Sequence, residues 1–193
     1  MTLYNSAISG SASWIVMTHS RLRSGIAHRQ KHSSVLLRGR SGAVASRPNV
    51  VMVVVEIGVR DAGCYGNTAI KTPNFDGLAA AGVKFENAFC TTSSCSPSRA
   101  VILSGLYAHA NGMYGLSHAY HHFSCFDDLQ TLPGLLRSAG YRPGLNGKLH
   151  VTPREIFPFD VEIDSDARNT VQMTEESRGF LSADFEAPFF LYF

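Results

Sequence analysis

Val50-Val51-Met52-Val53-Val54-Val55 is an unbroken apolar run in which five of the six residues branch at Cβ. A strand with one wet face alternates apolar and polar residues, so a run like this reads as a strand covered on both faces, the habit of parallel sheets. Working outward, Phe189-Phe190-Leu191-Tyr192-Phe193 behind Pro188 has the same character, and Tyr141 to Asn146 reads as a further strand. Helix signals lie between them. Thr72 can cap a helix that has Pro73 at its first position and Gly82 after its end. Thr131 can cap a second helix with an apolar face of Leu132, Leu135, Leu136 and Ala139, ended by Gly140. Strands alternating with capped helices predict an α/β fold with a mainly parallel sheet. Pro143 has no N–H to give a ladder, which predicts an edge position or a strand start for it.

A chain of 193 residues with 45% hydrophobic content is long enough to bury one core. Its formal charge of +2 hides an asymmetry. Residues 1–48 hold no Asp or Glu but carry Arg21, Arg23, Arg29, Lys31, Arg38, Arg40 and Arg47 among many serines. The remainder therefore has 10 basic against 15 acidic groups, a balance of −5, so no broad basic surface is expected on the folded part. The basic, Ser/Arg-rich segment reads as a stretch without fixed structure, either transit-peptide-like or upstream of the true start. It lacks the apolar run of a secretory signal, and no stretch anywhere is long and apolar enough to span a membrane. With no aromatic interleaving beyond Tyr4 and Trp14, a nucleic-acid arm is disfavoured. Cys64, Cys90, Cys95 and Cys125 form no C-x-x-C pair and match no zinc or disulfide framework.

The chemistry concentrates in two segments. In Cys95-Ser96-Pro97-Ser98-Arg99, followed by Leu103-Ser104-Gly105, the proline suits the first turn of a helix and the glycine its end. Cys95 then sits at or just before a helix N-terminus, where N–H groups and the positive dipole end favour an anion. Arg99 follows one turn later and can point back to the same place. Taken alone, a cysteine is more often a small buried hydrophobe and a Pro-Ser pair a helix cap. A tyrosine-phosphatase loop is a poor fit, since it needs more residues between Cys and Arg, with glycines to cradle phosphate. The second segment, Gly140-Tyr141-Arg142-Pro143-Gly144-Leu145-Asn146-Gly147-Lys148-Leu149-His150, delivers Lys148 and His150 to the carboxyl end of a strand, where ligand sites of open α/β sheets lie. Lysine can neutralise an anionic oxygen and histidine can protonate a leaving group near neutral pH.

Together the two segments resemble the signatures of the sulfatase family, and Thr72-Pro73-Asn74-Phe75-Asp76-Gly77-Leu78-Ala79 is similar to a helix found in most of its members. Asn111 to Leu116, His121-His122-Phe123, Phe126-Asp127, Leu132-Pro133 and Phe157-Pro158-Phe159-Asp160 resemble its sulfamidase branch. The likeness runs over residues 49–193. It implies an alkaline-phosphatase-like three-layer sandwich, N-terminal part only, with the catalytic domain truncated at its C-terminus. It also implies that a formylglycine-generating enzyme oxidises Cys95 to formylglycine, that Arg99 orients the resulting hydrate, and that Lys148 and His150 contact the sulfate. The implied substrate is a sulfated sugar or glycosaminoglycan-like chain, with N-linked sulfate on glucosamine as the bond cleaved.

The family's calcium makes one departure important. Where sulfatases end the first core strand in two aspartates, this chain has Glu56 and Ile57. Glu56, with the residue at Cys95, is the implied metal ligand, while isoleucine offers calcium nothing. A catalytically inactive sulfatase remnant or a binding module is therefore the alternative reading.

Overall fold

The computed structural model describes residues 2–4, 13–19, 47–55, 61–118, 120–183 and 186–193. In chain order its elements are β1 (Thr2–Tyr4), β2 (Ser13–His19), β3 (Asn49–Val55), α1 (Pro73–Ala81), α2 (Cys95–Ser104), α3 (Ala108–Asn111), α4 (Leu132–Ser138), β4 (Arg142–Asn146), β5 (Val161–Ile163), α5 (Thr170–Ser182) and β6 (Phe189–Tyr192). The two apolar runs that marked the fold are neighbours. β3 and β6 pair in parallel with Val50 opposite Phe190 and Met52 opposite Tyr192. β4 pairs in parallel with β6 on one side and β5 on the other. The sheet order is β1-β2-β3-β6-β4-β5, and its last four strands form the expected parallel sheet.

β1 and β2 extend the sheet in antiparallel fashion from the edge of β3. They fall inside the basic leader, which composition had suggested would lack fixed structure. The reason is local: Ser13-Trp14-Ile15-Val16-Met17-Thr18-His19 is rich in β-branched and aromatic residues despite its basic surroundings.

Alternation along β6 builds two cores at once. Phe190 and Tyr192, both fully buried, join Met52, Leu145, Phe157, Met113 and the α2 residues Ala100 and Leu103 on one face. Phe189 and Leu191 join Phe180 of α5 on the other face. The sheet is thus sandwiched between helices, a three-layer arrangement in which each buried large side chain contributes up to about 1.5–3 kcal/mol. Gly144 of β4 is required by this packing, because a Cβ there would lie 2.6 Å from Cζ of Phe180.

Local details depart from the sequence expectations in instructive ways. Thr72 precedes α1 as expected, with Gly82 after its end, but its hydroxyl does not cap the helix. Instead Thr72 Oγ1 accepts from the Gly63 N–H at 2.8 Å and donates to Asp76 at 3.1 Å, and Asp76 accepts from the Cys64 N–H at 2.6 Å. Thr131 likewise turns away from its helix and donates to the carbonyl of Ile156. Leu132 and Leu136 pack on the core, whereas Leu135 is half exposed. Pro143 is the second residue of β4, which meets the expectation of a strand start, though the strand lies inside the sheet and not at its edge.

Candidate active site

α2 begins on Cys95 itself. Ser94 stands before it in extended conformation, φ −117° and ψ 151°, and its carbonyl accepts the first helical bond from Ser98 N–H at 2.9 Å. Cys95 is half-buried and all four cysteines are free thiols. The first-turn N–H groups that lack partners within the helix converge on this end, together with the positive end of the dipole. Gly105 closes the helix in the left-handed region, φ 70°, with its N–H donating to Val101 at 2.8 Å. Cys125, by contrast, lies in the core, and burial pushes its thiol up to about 11.

Arg99, one turn on, is 5% exposed. Its Nη1 donates to the Tyr192 hydroxyl at 3.0 Å and to the backbone carbonyl of Lys148. Its guanidinium also lies 6.0 Å from the centre of the Tyr192 ring. A guanidinium taken from water needs such partners, and by making them it joins α2 to the last residue of β6 and to the turn after β4.

That turn is fixed from below as well. Asn146, the last residue of β4, is fully buried; its Nδ2 donates to the Met173 carbonyl at 2.9 Å and to the Ser177 hydroxyl at 2.7 Å, while Ser165 donates to its Oδ1. Gly147 then takes φ 89°, which glycine adopts freely. Lys148 projects an exposed side chain, Leu149 turns into the core, and His150 takes φ 57°, unusual for a residue with a side chain.

A second link runs from the start of α2 to His150. Ser96, the residue after Cys95, is fully buried, and its hydroxyl accepts from the Ser117 N–H at 3.2 Å. The next residue, His118, places Nδ1 at 2.6 Å from Nε2 of His150, with the rings 4.7 Å apart and tilted by 20°. The structure thus brings the Cys95 end of α2, Arg99, Lys148 and His150 into one corner. Ser96, Ser117, His118 and Tyr192 belong to the same corner and were not singled out from sequence. Ser117 and His118 lie in the stretch between two segments that carried the resemblance, but nothing in their spacing points 32 residues onward to His150.

The calcium expectation fares differently. Glu56 and Ile57 lie outside the described residues. Among the described residues, no three His, Cys, Asp or Glu side chains gather as a metal site. Ile57 has no side-chain donor and calcium takes six to eight oxygens, so Glu56 and the residue at Cys95 do not by themselves make up a calcium site.

A parallel sheet between helix layers, with the polar corner beyond the ends of β4 and β6, is the N-terminal part of an alkaline-phosphatase-like fold. A solved structure from Bacteroides thetaiotaomicron superposes with a TM-score of 0.57 at 25% identity, over 69% of this chain and 31% of that one. A structure of a protein complexed with its substrate D-glucosamine-2-N,6-O-disulfate gives a TM-score of 0.54 at 24% identity, over 67% of this chain and 30% of that one. The Sulfatase family pattern matches residues 48–193, and the chain belongs to the sulfatase family. Human N-sulphoglucosamine sulphohydrolase is 43% identical over 159 residues, which are 78% of this chain and 32% of that protein. An ulvan-active sulfatase of Formosa agariphila is 33% identical over 124 residues, 64% of this chain and 24% of that protein. The chain therefore spans about a third or less of these relatives' length. Sulfatases are hydrolases of sulfate esters or sulfamates and as a family use a formylglycine and calcium. Among the described residues, no helix is long and apolar enough to cross a membrane.

Proposed function

We propose that residues 49–193 are the nucleophile-bearing part of a sulfatase catalytic domain whose substrate is N-sulfated glucosamine in a sulfated glycan, and that residues 1–48 are a basic Ser/Arg-rich segment outside it. The observation that carries this reading is the double tie between the start of α2 and the Lys148–His150 turn, made by Arg99 and by Ser96 with Ser117 and His118. The 43% identity to human N-sulphoglucosamine sulphohydrolase supports the choice of N-linked sulfate.

In the reaction a sulfamate and water give the free amine and sulfate: the S–N bond breaks, an S–O bond forms, and the amine takes up a proton. Oxidation of Cys95 by a formylglycine-generating enzyme supplies an aldehyde hydrate as the oxygen nucleophile. The α2 N-terminus stabilises negative charge beside it. Lys148 neutralises a sulfate oxygen from its exposed position at the rim, and His150 delivers the proton to the leaving nitrogen. Arg99 holds the Lys148 carbonyl, so its first contribution is to set the Lys–His turn over α2.

Co-expression with a formylglycine-generating enzyme, followed by assay on glucosamine N-sulfate and on an aryl sulfate ester, tests the reading. Sulfate release that disappears in Cys95→Ala is expected. Release that survives in Cys95→Ala contradicts the assignment. Ile57 favours a second reading, an inactive remnant that retains sulfated-glycan affinity; binding without hydrolysis in the wild-type chain would support it.

A further inference from the structure

We propose that His118 is a positioning residue for His150, selecting one tautomer and one orientation of its ring. The inference rests on the functional reading above for its purpose but on separate geometry for its substance.

Nδ1 of His118 and Nε2 of His150 are 2.6 Å apart, inside hydrogen-bond range. Two imidazoles in contact through one nitrogen each can hold a single proton between those nitrogens. One ring donates, the other accepts, and a second proton there would set two donors against each other. The contact therefore ties the tautomer of His150 to that of His118, since whichever ring donates, the other must accept. The near-parallel rings, 4.7 Å apart, fix the torsion about the His150 side chain at the same time.

Both residues are held in place from the backbone. His150 follows Leu149, which is anchored in the core, and takes its left-handed φ of 57° within a turn whose Lys148 carbonyl is held by Arg99. His118 follows Ser117, which is fastened to the buried Ser96 of α2 through its N–H and its hydroxyl, both at 3.2 Å. A histidine fastened beside the nucleophile's helix and touching the acid histidine is placed to orient that acid, much as a second hydrogen-bonding group orients a catalytic imidazole in general. His118 touches no reacting atom on this account and acts only through His150.

Three substitutions separate the elements of the contact. His118→Phe keeps a ring and loses the nitrogen. His118→Asn loses the ring but keeps a polar atom at the position of Nδ1. His118→Ala loses both. The readout is the pair of His150 side-chain nitrogen signals in ¹⁵N-labelled protein, assigned by their disappearance in His150→Gln and recorded at about pH 8, where an ordinary imidazole is neutral. Wild type and His118→Asn are expected to show one tautomer, and His118→Phe and His118→Ala a mixture. Wild-type nitrogen signals in His118→Phe would overturn the proposal, as would a mixture already present in wild type.

In oxidised, active protein, His118→Phe is expected to lower kcat about ten-fold with KM changed less than about two-fold, and His118→Asn to recover most of the loss. Equal losses in the Phe and Asn variants would also overturn it. The nitrogen signals are read without turnover, so an inactive wild-type chain would count against the functional reading and leave the test of His118 intact.

Discussion

Two strands of the same parallel sheet, β3 and β4, end in opposite ways. After β4 the chain runs Asn146-Gly147-Lys148-Leu149-His150, and nearly every residue is tied: Asn146 to α5, the Lys148 carbonyl to Arg99, Leu149 to the core, His150 to His118. After β3 the chain runs Glu56-Ile57, and the second position has no polar atom to offer a ligand. The corner that gathers the start of α2, Arg99, Lys148 and His150 is built from contacts within these residues, whereas after β3 Glu56 supplies one carboxylate and Ile57 none.

The largest expected effect that could break this contrast is at Arg99. Arg99→Ala removes the donor shared by the Lys148 carbonyl and the Tyr192 hydroxyl and empties a buried volume. It should cost about 3 kcal/mol in urea unfolding. A loss under about 1 kcal/mol would mean that the β4 corner is not held from α2. Asn146→Ala should come next, at about 2 kcal/mol, because the buried carbonyl of Met173 loses its donor. If it matched a surface substitution, the turn after β4 would not be anchored through Asn146.

The smallest effect sharpens the other side of the comparison. Added calcium is expected to leave the wild-type Tm unchanged, while Ile57→Asp should gain about 1.4 kcal/mol of stability at calcium about ten times its Kd. A calcium-dependent rise in wild-type Tm would show that Glu56 and its neighbours already hold the ion.

Much of this molecule was legible from local chemistry. Val50–Val55 and Phe189–Tyr192 announced strands covered on both faces, and they are adjacent in a sheet with helices on both sides. Pro73, Gly82, Pro97 and Gly105 marked helix ends correctly because proline and glycine act through their own backbone. Side chains that choose between local and distant partners were less legible. Thr131 looked like a cap, yet bonds Ile156, and Arg99, one turn after Cys95, also bonds Tyr192 and the Lys148 carbonyl, partners that its spacing does not announce. Short-range pattern fixes neither choice, since each is made by what the fold brings alongside. The His118–His150 pair was invisible for the same reason. β1 and β2 were missed because a basic, Ser-rich composition outweighed a seven-residue run of strand-forming residues.

The central claim is that Cys95, at the first position of α2, is presented for activation as a sulfatase nucleophile. The direct measurement is the mass of the proteolytic peptide containing Cys95 after co-expression with a formylglycine-generating enzyme. A loss of about 18 Da, the change from thiol to aldehyde, is the predicted result. A peptide with its thiol intact would contradict the claim.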